Sequence, residues 1–218
     1  MQKNKKPAYK ALSLISGGID SPVASYLMLK KGYTLDFIFF YNKPYASVKE
    51  REIVIACVKQ LKKEFGWKRK SKLYIIQHGD TLKAVIKNCP RNLQCILCRR
   101  MMFRIAEKIA KRNRCSALVT GENLAQVASQ TLHNLVVVSS AVKIEILRPL
   151  LCYDKTETTK IAEKIGTYQF SKFHKCCGML PLSPRTKGRV EEALRAEKNL
   201  DINKLVKNAM KGRKIVLI

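Results

Sequence analysis

The sequence predicts an α/β fold, a doubly wound and mainly parallel sheet followed by a basic helical C-terminal tail. Three observations carry that prediction. Short β-rich apolar runs recur along the chain, each followed by a helical pattern. A glycine-broken corner, SGGIDS, joins the first run to its helix. From about Gly188 the pattern changes to charged helical segments. Alternating strands and helices imply parallel strands covered on both faces.

The first run, Ala11 to Ile15, leads through the glycine corner into a helix that closes on Lys30, Lys31 and Gly32. The second run is Thr34 to Phe40. Its helix carries Val54, Cys57, Val58, Leu61 and Phe65 on one face, with Gly66 as the stop. The third run is Lys72 to Gln77. A helix from about Cys98 to Arg112 is expected to bury Cys98, Met102, Ile105 and Ile109, with Arg100, Arg104, Lys108 and Lys111 outward. Ser116 to Thr120 and Lys143 to Leu147 are the fourth and fifth runs. Asp154 with Glu157 forms a capping pair for a helix closing at Gly166. Residues 1–187 are expected to form one domain, and residues 188–218 a basic extension packed on it through Val190, Leu194, Ile202, Leu205, Val206 and Met210.

Charge narrows the partners. Lys and Arg number 43 against 16 acidic residues, a formal charge of +27, and the excess runs from Lys3 to Lys214. Such a surface attracts polyanions, with nucleic acid the first candidate. No run approaches the roughly 20 apolar residues of a membrane span, no helix shows a lone strongly apolar face, and MQKNKKPAYK lacks the apolar core of a secretory signal. A cytoplasmic protein without a membrane partner is expected. In that compartment the 8 cysteines argue against a disulfide framework. Cys57, Cys115 and Cys152 read as packing residues; Cys89, Cys95, Cys98, Cys176 and Cys177 lie near turns. His78, His133 and His174 are scattered singly and read as structural or surface residues, and no Ser/His/Asp arrangement stands out.

SGGIDS is neither a dinucleotide fingerprint nor a Walker loop. Ser16, Gly17, Gly18 and Ser21 suit a phosphate cradle, in which glycines admit close backbone approach and hydroxyls add donors. Asp20 is anionic and would meet a phosphate only through a Mg²⁺ bridge. An ordinary glycine turn is the competing reading. Cys95 and Cys98 form a CxxC at a helix N-terminus, where the dipole favours thiolate. Alone, that spacing is compatible with a redox pair, half a metal site or coincidence.

SGGIDS matches the SGGxDS loop of the PP-loop ATP pyrophosphatases, the adenine nucleotide alpha hydrolase-like fold whose members cleave ATP between the α and β phosphates. The resemblance narrows further. SGGIDSPVA, CRRMMFRIAEKIA, ALVTGENLAQVASQTLHNL, LRPLLCYDKTE, IGTYQFS and CCGMLPLSPRT occur in an order and spacing similar to the catalytic domain of the ThiI family, over about residues 11–187. That family comprises tRNA 4-thiouridine sulfurtransferases also tied to thiamine thiazole synthesis. The resemblance implies adenylation of uridine 8 in tRNA, with release of pyrophosphate, and displacement of AMP by sulfur. It places Leu14, Ile15, Phe39, Phe40, Arg99, Gly121 and Gln130 where the family contacts ATP, and Lys155 on a lysine needed for activity. A simple turn at Gly121 and a solvated lysine at Lys155 are the competing readings.

Cys177 falls where the family carries a sulfur-handling cysteine. By similarity to archaeal members, Cys95, Cys98 and Cys177 are expected to hold an iron–sulfur cluster, with Cys176 the alternative ligand. A persulfide on Cys177 resolved by another cysteine, zinc, or a plain redox pair are the rivals. Family members place a ferredoxin-like segment and a THUMP domain before the catalytic domain, whereas ten residues precede the first run here. The implied partners are tRNA, a separate THUMP-type protein that presents it, and a sulfide or persulfide donor; a homodimer is allowed for. The alternative functions are thiolation of another tRNA position or a small acceptor, and a non-catalytic ATP- and RNA-binding subunit.

Overall fold

Side-chain alternation along the strands decides the architecture. Ala11, Phe37, Phe39, Leu73 and Ile75 enter one apolar core, while Leu12, Ile38, Phe40, Tyr74 and Ile76 enter another on the opposite face. A sheet buried on both faces needs helices on both, and near-continuous apolar strands are the signature of that arrangement. The computed structural model describes residues 9–47, 49–124, 130–173 and 177–218.

The strands are β1 (Lys10–Leu14), β2 (Thr34–Tyr41), β3 (Lys72–Gln77), β4 (Ala117–Val119), β5 (Glu145–Leu147) and β6 (Lys214–Leu217), in the sheet order β5-β4-β1-β2-β3-β6. All neighbours pair in parallel except β6, which runs antiparallel to β3 with Lys72 opposite Leu217. Helices α1 (Asp20–Lys30), α2 (Lys49–Phe65) and α6 (Lys155–Lys164) cover one face, with α7 (Tyr168–Ser171) packed on α2 and α6. The other face carries α3 (Gly79–Asn88), α4 (Gln94–Arg112), α5 (Leu132–Ser139), α8 (Val190–Glu197) and α9 (Ile202–Lys211). No described helix is long and apolar enough to cross a membrane. Strand order reverses between β1 and β4, and that switch point opens a crevice at the carboxyl ends of the strands.

Local chemistry explains the ends of these elements. Asp154 and Glu157 form a complete capping box at α6, with Glu157 N–H donating to Asp154 Oδ1 at 2.7 Å and Asp154 N–H donating to Glu157 Oε2 at 3.0 Å. Gly66 and Gly166 adopt φ of 71° and 70° just past α2 and α6, as the sequence suggests for helix stops.

Several expectations need correction. Helix α4 begins at Gln94 rather than Cys98, so the CxxC occupies its first two turns. Its deeply buried face is Ile96, Leu97, Met101, Phe103, Ile105 and Ile109, and Cys98 and Met102 are half-buried instead. Arg100, expected outward, is 0% exposed. It is tolerated because Glu197 of α8 meets it with two hydrogen bonds, from Nε at 2.8 Å and Nη2 at 3.0 Å, while Nη1 donates to Ser140 Oγ at 2.7 Å and to the Val137 carbonyl. Arg104, also expected outward, binds the same carboxylate at 2.6 and 2.8 Å. Cys152 is exposed rather than packed, whereas burial of Cys57 and Cys115 pushes their thiols up to about 12 and about 11. Leu194 is half exposed, and Phe65 is partly exposed. The C-terminal residues also supply an edge strand, β6, where only helix was expected; a four-residue strand, KIVL, is too short for periodicity to reveal.

Candidate active site

The glycine corner between β1 and α1 is pre-organised by its own hydroxyls. Ser16 N–H donates to Ser21 Oγ at 2.8 Å, Gly18 N–H donates to Ser16 Oγ at 3.2 Å, and the two hydroxyls lie 3.1 Å apart. Ile19, the N-cap of α1, offers no side-chain hydrogen bond. The first-turn N–H groups of an 11-residue helix therefore lack a side-chain cap, and the dipole favours an anion there.

This corner forms one wall of a cavity of about 820 Å³ at the switch point. Leu14, Ile15, Ser16, Gly18, Asp20 and Ser21 come from the β1–α1 corner, Phe39 and Phe40 from the end of β2, and Gly121 and Gln130 from beyond β4. Arg99 enters from α4 and Lys155 from the start of α6. Gly17 belongs to the corner but does not line the cavity. Cys95, Cys98 and Cys177 line the same cavity, and Cys176 lies outside the described residues.

Burial raises the Asp20 carboxyl above its ordinary value, and the positive charge of Lys155 opposes that rise. One carboxylate beside the phosphate corner suits a Mg²⁺ ion, which would neutralise phosphate charge there. Arg99 is held by Glu122, 3.1 Å away, and Arg148 reaches the other oxygen of Glu122 at 2.7 Å. Glu122 is itself buried and accepts from Thr120 Oγ1 at 3.1 Å. The sequence reading missed this carboxylate, whose one signal was an acidic residue directly after a strand-end glycine. Gln130 is fixed through its Oε1, which accepts from Asn123 N–H at 3.0 Å. Gln94 was also missed: its side-chain Nε2 donates to the Met179 carbonyl at 2.5 Å, tying the segment that bears Cys177 to the start of α4.

Cys95, Cys98 and Cys177 are thiols, the donor type an iron–sulfur cluster takes, and all three line the cavity. Among the described residues, however, no three His, Cys, Asp or Glu side chains are gathered closely enough to hold a metal ion.

Gly121 has a steric reason to be glycine. A Cβ there would lie 2.7 Å from Ser21 N and 2.8 Å from Asp20 C, both backbone atoms of the corner. Gly121→Ala is therefore expected to shift the corner and, if the corner takes ATP as the sequence leads one to expect, to weaken that binding about tenfold, or about 1.4 kcal/mol, by calorimetry. The far-UV circular dichroism should be unchanged.

The family model described as thiamine biosynthesis protein (ThiI) matches residues 7–202. A probable tRNA sulfurtransferase of Caldanaerobacter subterraneus subsp. tengcongensis is 42% identical over 202 residues, covering 91% of this chain and 52% of that protein. Its counterpart in Coxiella burnetii is 43% identical over 205 residues, with 92% and 51% covered. The chain thus spans about half the length of the curated relatives it matches. A crystal structure of a 4-thiouridine synthetase–RNA complex with bound ATP superposes with a TM-score of 0.92 at 36% identity, covering 96% of this chain and 55% of that one. The U34-tRNA thiolase NcsA from Methanococcus maripaludis, at 20% identity and a TM-score of 0.52 over 94% of this chain and 73% of its own, shares the fold. Matched over most of its length by that family model and by relatives of this similarity, the chain belongs to the ThiI family.

Proposed function

We propose that the chain is the catalytic part of an ATP-dependent tRNA sulfurtransferase that converts uridine 8 to 4-thiouridine. The observation that carries this reading is the convergence of the phosphate corner, Lys155, Cys95, Cys98 and Cys177 on one cavity. The relatives named as tRNA sulfurtransferases, and the similar 4-thiouridine synthetase solved with RNA and ATP, support it.

Uracil O4 is a poor leaving group until it is activated. In the first step O4 would attack the α-phosphorus of ATP; the P–O bond to pyrophosphate breaks and the N3 proton is lost. Backbone N–H groups at the start of α1, with Ser16 and Ser21, would hold the departing phosphates, and Lys155 would offset the charge that develops. Arg99, fixed by Glu122, would orient the nucleotide, and the end of β2 at Phe39 and Phe40 would bound its site. Asp20 would hold Mg²⁺. In the second step sulfide-level sulfur would add to C4, and AMP would leave with the original oxygen. Cys177, in a segment tied through Met179 to Gln94, would stand beside the incoming sulfide and orient it toward C4. An iron–sulfur cluster would need Cys95, Cys98 and Cys177 drawn closer together than they stand here, and once bound would supply a binding place for sulfide.

The charge of +27 suits phosphate contacts along the RNA. The division into residues 1–187 and 188–218, a THUMP-type partner, a sulfide or persulfide donor, a homodimer, a cytoplasmic location and a link to thiazole synthesis complete the proposal. The test supplies tRNA, ATP, Mg²⁺ and sulfide to the anaerobically purified protein. The expected result is ATP-dependent absorbance of 4-thiouridine near position 8, with one pyrophosphate released per thiouridine. Pyrophosphate release without thiouridine would point to another acceptor.

A further inference from the structure

We propose that His78 is a positioning residue for the sulfur side of the cavity: its Nε2–H donates to the Cys98 sulfur and fixes that thiol at the cavity wall. The inference rests on the sulfurtransferase reading only for the use to which Cys98 is put. The hydrogen bond itself follows from the geometry.

His78 follows β3 and is the N-cap residue of α3. Its backbone is pinned at both ends, its N–H donating to Tyr41 O at 2.8 Å and its carbonyl accepting from Leu82 N–H at 3.0 Å. The next residue permits no slack, since a Cβ at Gly79 would sit 1.7 Å from Lys43 O. The imidazole is 0% exposed and meets the Phe40 ring edge-on, centroids 5.2 Å apart. Its Nε2 lies 3.3 Å from Cys98 Sγ, whereas Nδ1 is buried and meets no hydrogen-bond partner among the described residues.

The imidazole is wholly buried with one ring nitrogen partnered by sulfur, an environment that favours the neutral ring, which carries a single N–H. A proton on Nδ1 would leave a buried N–H without an acceptor, at a cost of about 1–3 kcal/mol. A proton on Nε2 is used by the sulfur, and only a lone pair on Nδ1 goes unmatched. Orphaned acceptors are the more common of the two defects. The Nε2–H tautomer follows.

Its consequence is chemical. A thiolate at the place where sulfide enters bears negative charge, and a fixed N–H donor stabilises that charge without adding a cation. Cys95 lies one turn earlier on α4 and also lines the cavity, so it is an internal comparison on the same helix.

Two measurements test this, and neither uses ATP or RNA, so the inference and the thiolation reading can fail separately. Long-range proton–nitrogen spectra of the ¹⁵N-histidine-labelled protein at pH 7, assigned by the signal lost in His78→Gln, are expected to show His78 as the neutral Nε2–H tautomer. An Nδ1–H tautomer or a doubly protonated ring overturns the inference. Iodoacetamide labelling followed by peptide mass spectrometry is expected to find Cys98 about tenfold slower in His78→Leu, with Cys95 unchanged. His78→Gln, whose amide N–H can occupy the Nε2 place, should restore Cys98 to within about twofold. Equal slowing of both cysteines, or of neither, overturns it; should His78→Leu fail to fold, the spectrum and the Gln variant decide alone.

Discussion

Glu197→Ala is expected to destabilise the chain by about 3–5 kcal/mol, the scale for removing one partner of a buried ion pair. Glu197 accepts from both Arg100 and Arg104, joining α8 to α4 across 97 and 93 residues of sequence. Arg100 has no route to water at 0% exposure, so without the carboxylate its charge keeps, among the described residues, Ser140 Oγ and the Val137 carbonyl. In a domain of this size the loss corresponds to a fall in Tm of about 6–20 °C. Urea denaturation measures it directly. Glu197→Leu combined with Arg100→Met should recover part of the loss, because apolar replacement removes both desolvated charges together. If the double variant is no more stable than Glu197→Ala, the buried charge is not the cause.

The same group sets a pH dependence. Burial opposes ionisation of Glu197, but the hydrogen bonds and charges of Arg100 and Arg104 outweigh it and hold the carboxyl below its ordinary 4.5. A depressed carboxyl contributes stability that is fully present above its unfolded value and is lost as pH falls through the folded one. Wild type should therefore lose stability below about pH 4.5 more steeply than Glu197→Gln, which has no proton to gain there.

The parallel strands were legible because fully buried strands spell themselves as Val, Ile, Leu and Phe, as in Thr34 to Phe40. The phosphate corner was legible for a similar reason, since its hydroxyls, glycines and helix start are contiguous in sequence. Arg100 defeated the periodicity argument. Helical spacing marks which residues share a face, but it is Glu197, 97 residues on, that makes a charged side chain tolerable inside. The pairing of Glu122 with Arg99 and Arg148 and the contact of His78 with Cys98 escaped for the same reason. Each half is unremarkable alone, and only the fold brings the halves together. Strand β6 is the converse case, a short run given its identity by the exposed edge of β3.

Asp20→Asn and Cys177→Ser are expected to divide the proposed reaction into its two halves. Asp20 stands at the phosphate corner, half-buried, with the charge of Lys155 acting on it. Asparagine preserves its shape and removes the charge that would hold Mg²⁺, so pyrophosphate release should fall about 10²–10³-fold, the loss typical of one pre-organised electrostatic group. Thiouridine should fall by the same factor, because activation precedes sulfur transfer. Cys177 lies on the same cavity but in a segment tied to α4 through Gln94 and Met179, apart from the phosphate corner. Serine keeps nearly the same volume and removes the sulfur chemistry, so Cys177→Ser should retain pyrophosphate release within about threefold while thiouridine falls at least about 100-fold. Pyrophosphate then forms without product, a ratio that no loss of folding can produce. If instead both variants lower the two products in parallel, Cys177 belongs to the activation step and the assignment of the cavity's two sides is wrong. Measuring pyrophosphate and 4-thiouridine in the same reaction decides between these outcomes.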